Sequence, residues 1–157
     1  MKDYSRATRS ELPTAFLQDL RHLLDDSDTG FVSLYKFSQY MRAFGPLEGS
    51  PKRAEVVICQ PWFHGYMSRN EATRMLEPYE PGTYFVRFAS EPGSFALNFK
   101  DDSNGIYNIK IRVDVGPNRF CMEEGEEHRT FETLGDLVAN YPDLLREPLG
   151  YRMAMKP

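Results

Sequence analysis

Gly82-Thr83-Tyr84-Phe85-Val86-Arg87 is the stretch that decides the fold. Aromatic and β-branched residues following a glycine read as a strand, and this strand carries an arginine with no acidic residue beside it. Such a charge is balanced either by a structural carboxylate from elsewhere in the chain or by an anion from outside. Around it, Phe95 to Lys100, Ile106 to Val113 and Arg119 to Met122 have the same strand composition. They are separated by the turn-forming runs Glu91-Pro92-Gly93, Ser103-Asn104-Gly105 and Gly116-Pro117-Asn118. The four segments predict an antiparallel meander. Before it, Ser68-Arg69-Asn70-Glu71 has the spacing of a capping box, with Ala72, Met75 and Leu76 as the apolar face of the helix it opens. After it, Leu134, Leu137, Val138 and Tyr141 form a last helical stripe, stopped at Pro142.

The first third of the chain reads differently. Residues 1–10 are polar and aperiodic and are expected to form a flexible tail. Leu12, Phe16, Leu20, Leu23 and Leu24 then fall on one face of a helix, with Pro13 in its first turn, and Leu34, Phe37, Met41 and Phe44 make a second stripe after the N-cap candidate Ser33. Between the stripes lies Asp25-Asp26-Ser27-Asp28-Thr29-Gly30. A helix, an acidic loop with a glycine and a second helix make the outline of an EF-hand. With Gly30 as the turn glycine, a twelve-residue loop would offer Asp25, Ser27, Thr29 and the carbonyl of Phe31 to calcium. Its twelfth position, where a bidentate glutamate is needed, is Lys36. Calcium binding is expected to be poor, the loop is read as degenerate with no bound metal, and the Lys36 ammonium is expected near Asp25 or Asp28 as a built-in counter-ion. Gly45 to Pro51 is rich in breakers, so the helical pair is set at residues 11–50 and a connector at 51–61, with Val56-Val57-Ile58-Cys59 as its buried part.

The ordered motifs Trp62-Phe63-His64-Gly65-Tyr66-Met67-Ser68-Arg69, Gly82 to Arg87 and Asn108-Ile109-Lys110-Ile111 resemble the Src-homology-2 (SH2) family over residues 62–157. The resemblance implies an α+β fold, a central antiparallel sheet flanked by two helices, here preceded by the EF-hand-like helical pair. It also implies a phosphotyrosine site. A phosphotyrosine carries nearly two negative charges and three acceptor oxygens, which planar and permanently charged arginines suit. Arg87 would be the central ligand, Arg69 would reach the phosphate from the helix, and Lys110 would flank the ring. Taken singly, the bland roles for these three are a partner for a structural carboxylate, a solvated helix residue and sheet-surface charge. The sequence departs from the family in reading Arg87-Phe88-Ala89, where a hydroxyl residue usually stands two places after the arginine. Ser90 and the N–H groups of the Ser90 to Gly93 loop are the replacement candidates, and Asn108 replaces the usual histidine. Ile109, Met122, Tyr141 and Leu149 correspond to the family's apolar peptide-specificity pocket, or else are plain core residues. Glu123, Glu124, Glu126 and Glu127 read as a loop beside it.

The run Gly30 to Phe44, followed closely by an SH2-like segment, is similar to the substrate-binding region of the Cbl family of ubiquitin ligases. The chain has no room for that family's preceding four-helix bundle, and two cysteines cannot build its RING module. It is thus either a fragment or another protein using the same pair, and one apolar flank of the helical pair is expected to be exposed to a partner or to self-association.

Composition narrows the function. A formal charge of −4 argues against a general nucleic-acid binder, and Cys59 and Cys121 read as two reduced thiols in the cytoplasm, or alternatively the nucleus. No apolar stretch is long enough for membrane insertion. His22, His64 and His128 are isolated, and no nucleophile, phosphate loop or dinucleotide fingerprint is present. The expectation is a non-catalytic adaptor without cofactor, binding tyrosine-phosphorylated peptides, in an oligomeric state the sequence leaves open. The competing reading is a calcium-responsive or structural module whose phosphate pocket is vestigial.

Overall fold

The computed structural model describes residues 12–116, 119–124 and 127–150. The tail of residues 1–10 and Glu126 lie outside them. Three helices come first: α1 (Thr14–Leu24), α2 (Leu34–Phe44) and α3 (Ser50–Ile58). The α1 stripe forms as its spacing predicts, with Phe16 and Leu23 fully buried. Ser33 caps α2, its hydroxyl accepting from the Lys36 N–H at 3.2 Å.

The face of α2 differs from the expected one. Gln39, Tyr40, Ala43 and Phe44 are buried, whereas Leu34 is 80% exposed and Phe37 is largely exposed. Polar atoms turn inward because each finds a partner: the Tyr40 and Ser50 hydroxyls bond at 3.1 Å, and both ends of the Gln39 amide are satisfied. Leu34, Tyr35 and Phe37 of α2 are exposed in consequence, as are Phe31 and Val32 just before it. The segment read as a buried connector is also different. It is helical as α3, with Val57 and Ile58 buried but Val56 and Cys59 exposed.

The remainder is a mostly antiparallel sheet with helices on it. Among the described residues its strands are β1 (Phe63–Tyr66), β2 (Thr83–Phe88), β3 (Ser94–Lys100), β4 (Ile106–Val113), β5 (Phe120–Glu124), β6 (Glu127–Phe131) and β7 (Glu147–Pro148), with helices α4 (Arg69–Leu76) and α5 (Leu134–Ala139). β2 to β5 form the predicted meander, β6 extends it by one antiparallel strand that was not predicted, and β1 and β7 pair in parallel with different ends of β2. The capping box at Ser68 and Glu71 is formed in full. The acidic run read as a loop is instead the end of the β5–β6 hairpin, where Glu124 pairs with Glu127 in register and Glu123 pairs with Arg112.

Alternation gives the sheet two apolar faces. Phe85 packs with Ala72 and Leu76 of α4, while Val86, Phe88, Phe95, Leu97 and Ile111 face the larger core. That core is continuous with the N-terminal helices. Phe44 meets Phe88 and Phe95 edge-on at 6.2 Å, and Phe16, Leu23, Val57 and Ile58 belong to the same cluster.

Candidate functional site

Strand register builds the site. Arg87 pairs with Ala96, which pairs with Lys110, and Phe85 pairs with Asn98, which pairs with Asn108. Strand alternation puts both rows on the α4 face, so Arg87, Asn98, Asn108 and Lys110 converge from three strands. Arg87 is only 3% exposed. Its Nε donates to Oδ1 of Asn98 at 3.3 Å, its Nη1 to the carbonyls of Met67 and Phe88 at 3.0 and 3.1 Å, and its Nη2 to Oδ1 of Asn108 at 3.4 Å. All four acceptors are neutral, and none of the ion pairs among the described residues includes Arg87. The Nε–H and both Nη1–H groups are committed to good acceptors. Nη2 therefore carries the spare donor capacity.

Arg69, the first residue of α4, is exposed and near enough to act on Arg87. Burial first, and then the Arg69 charge, holds the Arg87 guanidinium below the ordinary arginine range. Arginine keeps its proton in proteins, so the guanidinium stays charged in this buried place beside a second cation.

Other expected residues are placed less simply. Lys110 is ion-paired with Glu91 of the β2–β3 loop. In that loop Ser90 is exposed and lines a cleft with Tyr35, Tyr66, Met67, Ser68, Glu71, Phe88 and Ala89. The N–H of Gly93, counted among the candidate phosphate donors, is already bonded to Oε1 of Gln39 at 3.0 Å. The Ser90 hydroxyl and the N–H groups of Ser90 and Glu91 remain as loop donors. Two contributors were not anticipated, Asn98 and Gln39, both fully buried. Each is a polar residue amid apolar neighbours, in Phe95-Ala96-Leu97-Asn98-Phe99 and in the α2 stripe, and that is the signal by which sequence could have found them.

Of the four residues assigned to a specificity pocket, three share the larger core and the fourth lies on the other face of the sheet. Ile109 and Tyr141 are partly buried on the larger core, Met122 is wholly inside it, and Leu149 packs with the α4 cluster on the other face. Register accounts for this, since Ile109 and Lys110 point to opposite faces of β4. Leu149 is fixed there by its carbonyl, 2.7 Å from Nε2 of His64. His64 is itself buried and stacked on Phe85 at 4.4 Å, and burial lowers its pKa.

In the acidic loop the Asp25 carboxylate accepts from the N–H groups of Thr29 and Gly30, at 2.9 and 2.6 Å. The Lys36 ammonium pairs with Asp26 at 2.8 Å, and Arg21 pairs with Asp28. The counter-ion expectation is thus corrected in its partner. Asp25 is turned to the loop backbone and Asp28 to Arg21, which leaves Asp26 for Lys36. Lys36 also lies 5.7 Å from the centroid of the Tyr66 ring, at cation–π range.

Comparison with known proteins agrees with this geometry. Residues 62–141 match the model of the SH2 domain. The chain is similar to the E3 ubiquitin-protein ligase cblA of Dictyostelium discoideum, with 34% identity over 137 residues that make up 87% of this chain and 21% of the ligase. It is also similar to the dual specificity protein kinase shkB of the same organism, with 27% identity across 77% of this chain and 18% of the kinase. The chain therefore spans about a fifth of the length of these relatives. Among solved structures, the SH2 domain of the Monosiga brevicollis CRK/CRKL homolog superposes with a TM-score of 0.50 at 24% identity, covering 59% of this chain and 89% of that one. With the family model matched over half its residues and the sheet and helices of that fold around a buried arginine, the chain belongs to the SH2 domain family of non-catalytic, phosphotyrosine-binding signalling modules.

Proposed function

We propose that this chain binds tyrosine-phosphorylated peptides with Arg87 as the central phosphate ligand. The observation that carries the reading is a 3% exposed guanidinium held only by neutral oxygens, with a second cation at its side. An incoming phosphate dianion takes the two N–H groups of Nη2, displacing the long bond to Asn108, while Arg69 approaches from the N-terminus of α4. Ser90 and the nearby loop N–H groups supply the donor that Ala89 lacks. Lys110 joins the ring only after exchanging Glu91 for the ligand. Beyond the phosphotyrosine, Ile109 and Tyr141 offer apolar surface to ligand side chains over a floor that includes Met122, whereas Leu149 serves the α4 cluster.

The helical pair is, on this reading, a metal-independent EF-hand-like unit that Lys36 keeps charge-balanced. The whole is the substrate-recognition part of a Cbl-like ubiquitin ligase acting in the cytosol or nucleus. Support comes from the extent of the likeness to cblA. An alignment of 137 residues cannot fit within residues 62–157, so it reaches the N-terminal helices that the SH2 model does not. No helix among the described residues is long and apolar enough to cross a membrane. The calcium-responsive alternative is disfavoured by Lys36 itself, which stands at the twelfth loop position, pairs with Asp26 and offers no ligand oxygen where a bidentate glutamate is needed.

The test is titration of a degenerate phosphotyrosine peptide library and its unphosphorylated counterpart against wild type and Arg87→Ala. Phosphate-dependent binding that loses at least ~2–5 kcal/mol in the variant, with unchanged circular dichroism, is the expected result. Wild type that does not distinguish the two libraries would make the pocket vestigial.

A further inference from the structure

The loop that carries the remaining phosphate donors is held by a residue outside the SH2 domain. Gln39 of α2 is 0% exposed, and burying an amide is unfavourable unless both of its ends are bonded. Its Oε1 accepts from the Gly93 N–H at 3.0 Å and its Nε2 donates to the Tyr35 hydroxyl at 2.9 Å. Gly93 has φ +78, and a Cβ placed there would come within 2.7 Å of Cβ of Arg42, so this end of the loop lies directly on α2. The other anchors are its own closing bonds, Ala89 N–H to Ser94 O at 2.9 Å and Ser94 N–H to Glu91 O at 3.2 Å, and the exposed ion pair of Glu91 with Lys110. Between these fixed points sit Ser90 and Glu91. Tyr35, one helical turn before Gln39, walls the same cleft as Ala89 and Ser90.

We infer that Gln39 is a positioning residue for the phosphate-binding loop: from α2 it fixes Gly93, so that the Ser90 hydroxyl and the Ser90 and Glu91 N–H groups are set for the phosphate before it arrives. The inference rests on the phosphotyrosine reading above. It explains why a fully buried face of a helix carries an amide where an apolar residue would pack more easily, and it makes α2 a working part of the site. A loop without a hydroxyl at Ala89 has fewer donors, and rigid placement of those it retains matters correspondingly more.

The experiment uses the full chain as wild type, Gln39→Met and Phe16→Leu. Gln39→Met keeps the length of the side chain and removes both hydrogen bonds. Phe16→Leu loosens the same helical unit away from the loop and controls for general destabilisation. Amide hydrogen exchange at Gly93 is read without ligand, and affinity is read with the phosphotyrosine peptide pool that wild type binds best. Gln39→Met is expected to raise Gly93 exchange and to weaken peptide binding by about three- to tenfold, the range of one lost hydrogen bond, beyond any change in Phe16→Leu. Equal Gly93 exchange in the two variants would overturn the clamp. Faster exchange with undiminished affinity would overturn its role in binding. Failure of wild type to bind any phosphopeptide sinks the parent reading, and the exchange data still decide separately whether Gln39 holds the loop.

Discussion

The acidic loop between α1 and α2 and the arginine pocket under α4 are opposite solutions to one electrostatic problem. In the loop, each charge has an internal answer: Asp26 meets Lys36, Asp28 meets Arg21, and Asp25 accepts backbone N–H groups that hold its carboxyl below the usual carboxylate range. In the pocket, Arg87 and Arg69 stand together and the acceptors given to Arg87 are neutral. A closed charge balance needs no ligand, whereas an open one recruits it. The helices that flank the loop share one core with the strand that carries Arg87, so the difference is local chemistry rather than separate folding units.

That last point is the easiest to break. Phe44 is fully buried and touches Phe88 and Phe95 from the helical side. Phe44→Ala is expected to destabilise the whole chain by about 3–5 kcal/mol, read as a drop in the urea midpoint with a single transition. A split transition, in which one part melts early and phosphopeptide binding survives it, would show that the regions are thermodynamically separate.

Sequence made the open pocket legible and the closed loop only half so. Strand alternation and the capping box placed the β2 to β4 ladder and the start of α4 without knowledge of a partner, while the pairing of Arg87 with Arg69 came from likeness to the SH2 family. Strand β1 was hidden by Gly65, at φ +69 in an irregular pairing, and β6 by its polar sequence Glu127-His128-Arg129-Thr130-Phe131. The face of α2 was misplaced because hydrophobicity ranks Leu34 and Phe37 above Gln39 and Tyr40. Burial here follows hydrogen-bond partners in Ser50 and Gly93 that lie far along the chain or across the core. The choice of Asp26 for Lys36 likewise depends on which carboxylates the loop backbone and Arg21 have already engaged.

Reopening the loop sharpens the comparison. Lys36 is only partly exposed, at 21% for its side chain, and Asp26 is mostly exposed, so their pair contributes at most about 1 kcal/mol. Lys36→Glu removes that pair and adds a fourth carboxylate beside Asp25, Asp26 and Asp28 in a loop whose glycine already has φ +79. The metal-free variant is expected to lose about 1 kcal/mol of stability, and millimolar calcium is expected to restore it, whereas wild type is indifferent to calcium. Thermal melts with calcium and with chelator read both. Wild type stabilised by calcium at micromolar concentration would refute the closed balance.

The smallest expected effect concerns the one place where the open pocket is partly closed. Glu91 neutralises Lys110 from the β2–β3 loop, and both side chains are more than a third exposed, 62% and 38%. A pair so exposed is weak, below about 1 kcal/mol, and a ligand dianion must both displace Glu91 and tolerate its charge nearby. Glu91→Gln keeps the backbone carbonyl that receives the Ser94 N–H and removes only the carboxylate. Phosphopeptide affinity should therefore rise about two- to fivefold in low salt, and the gain should shrink as salt screens it. A fall in affinity instead would mean that Glu91 holds Lys110 in place for the ligand, so that the carboxylate is part of the open site rather than a local closure of it.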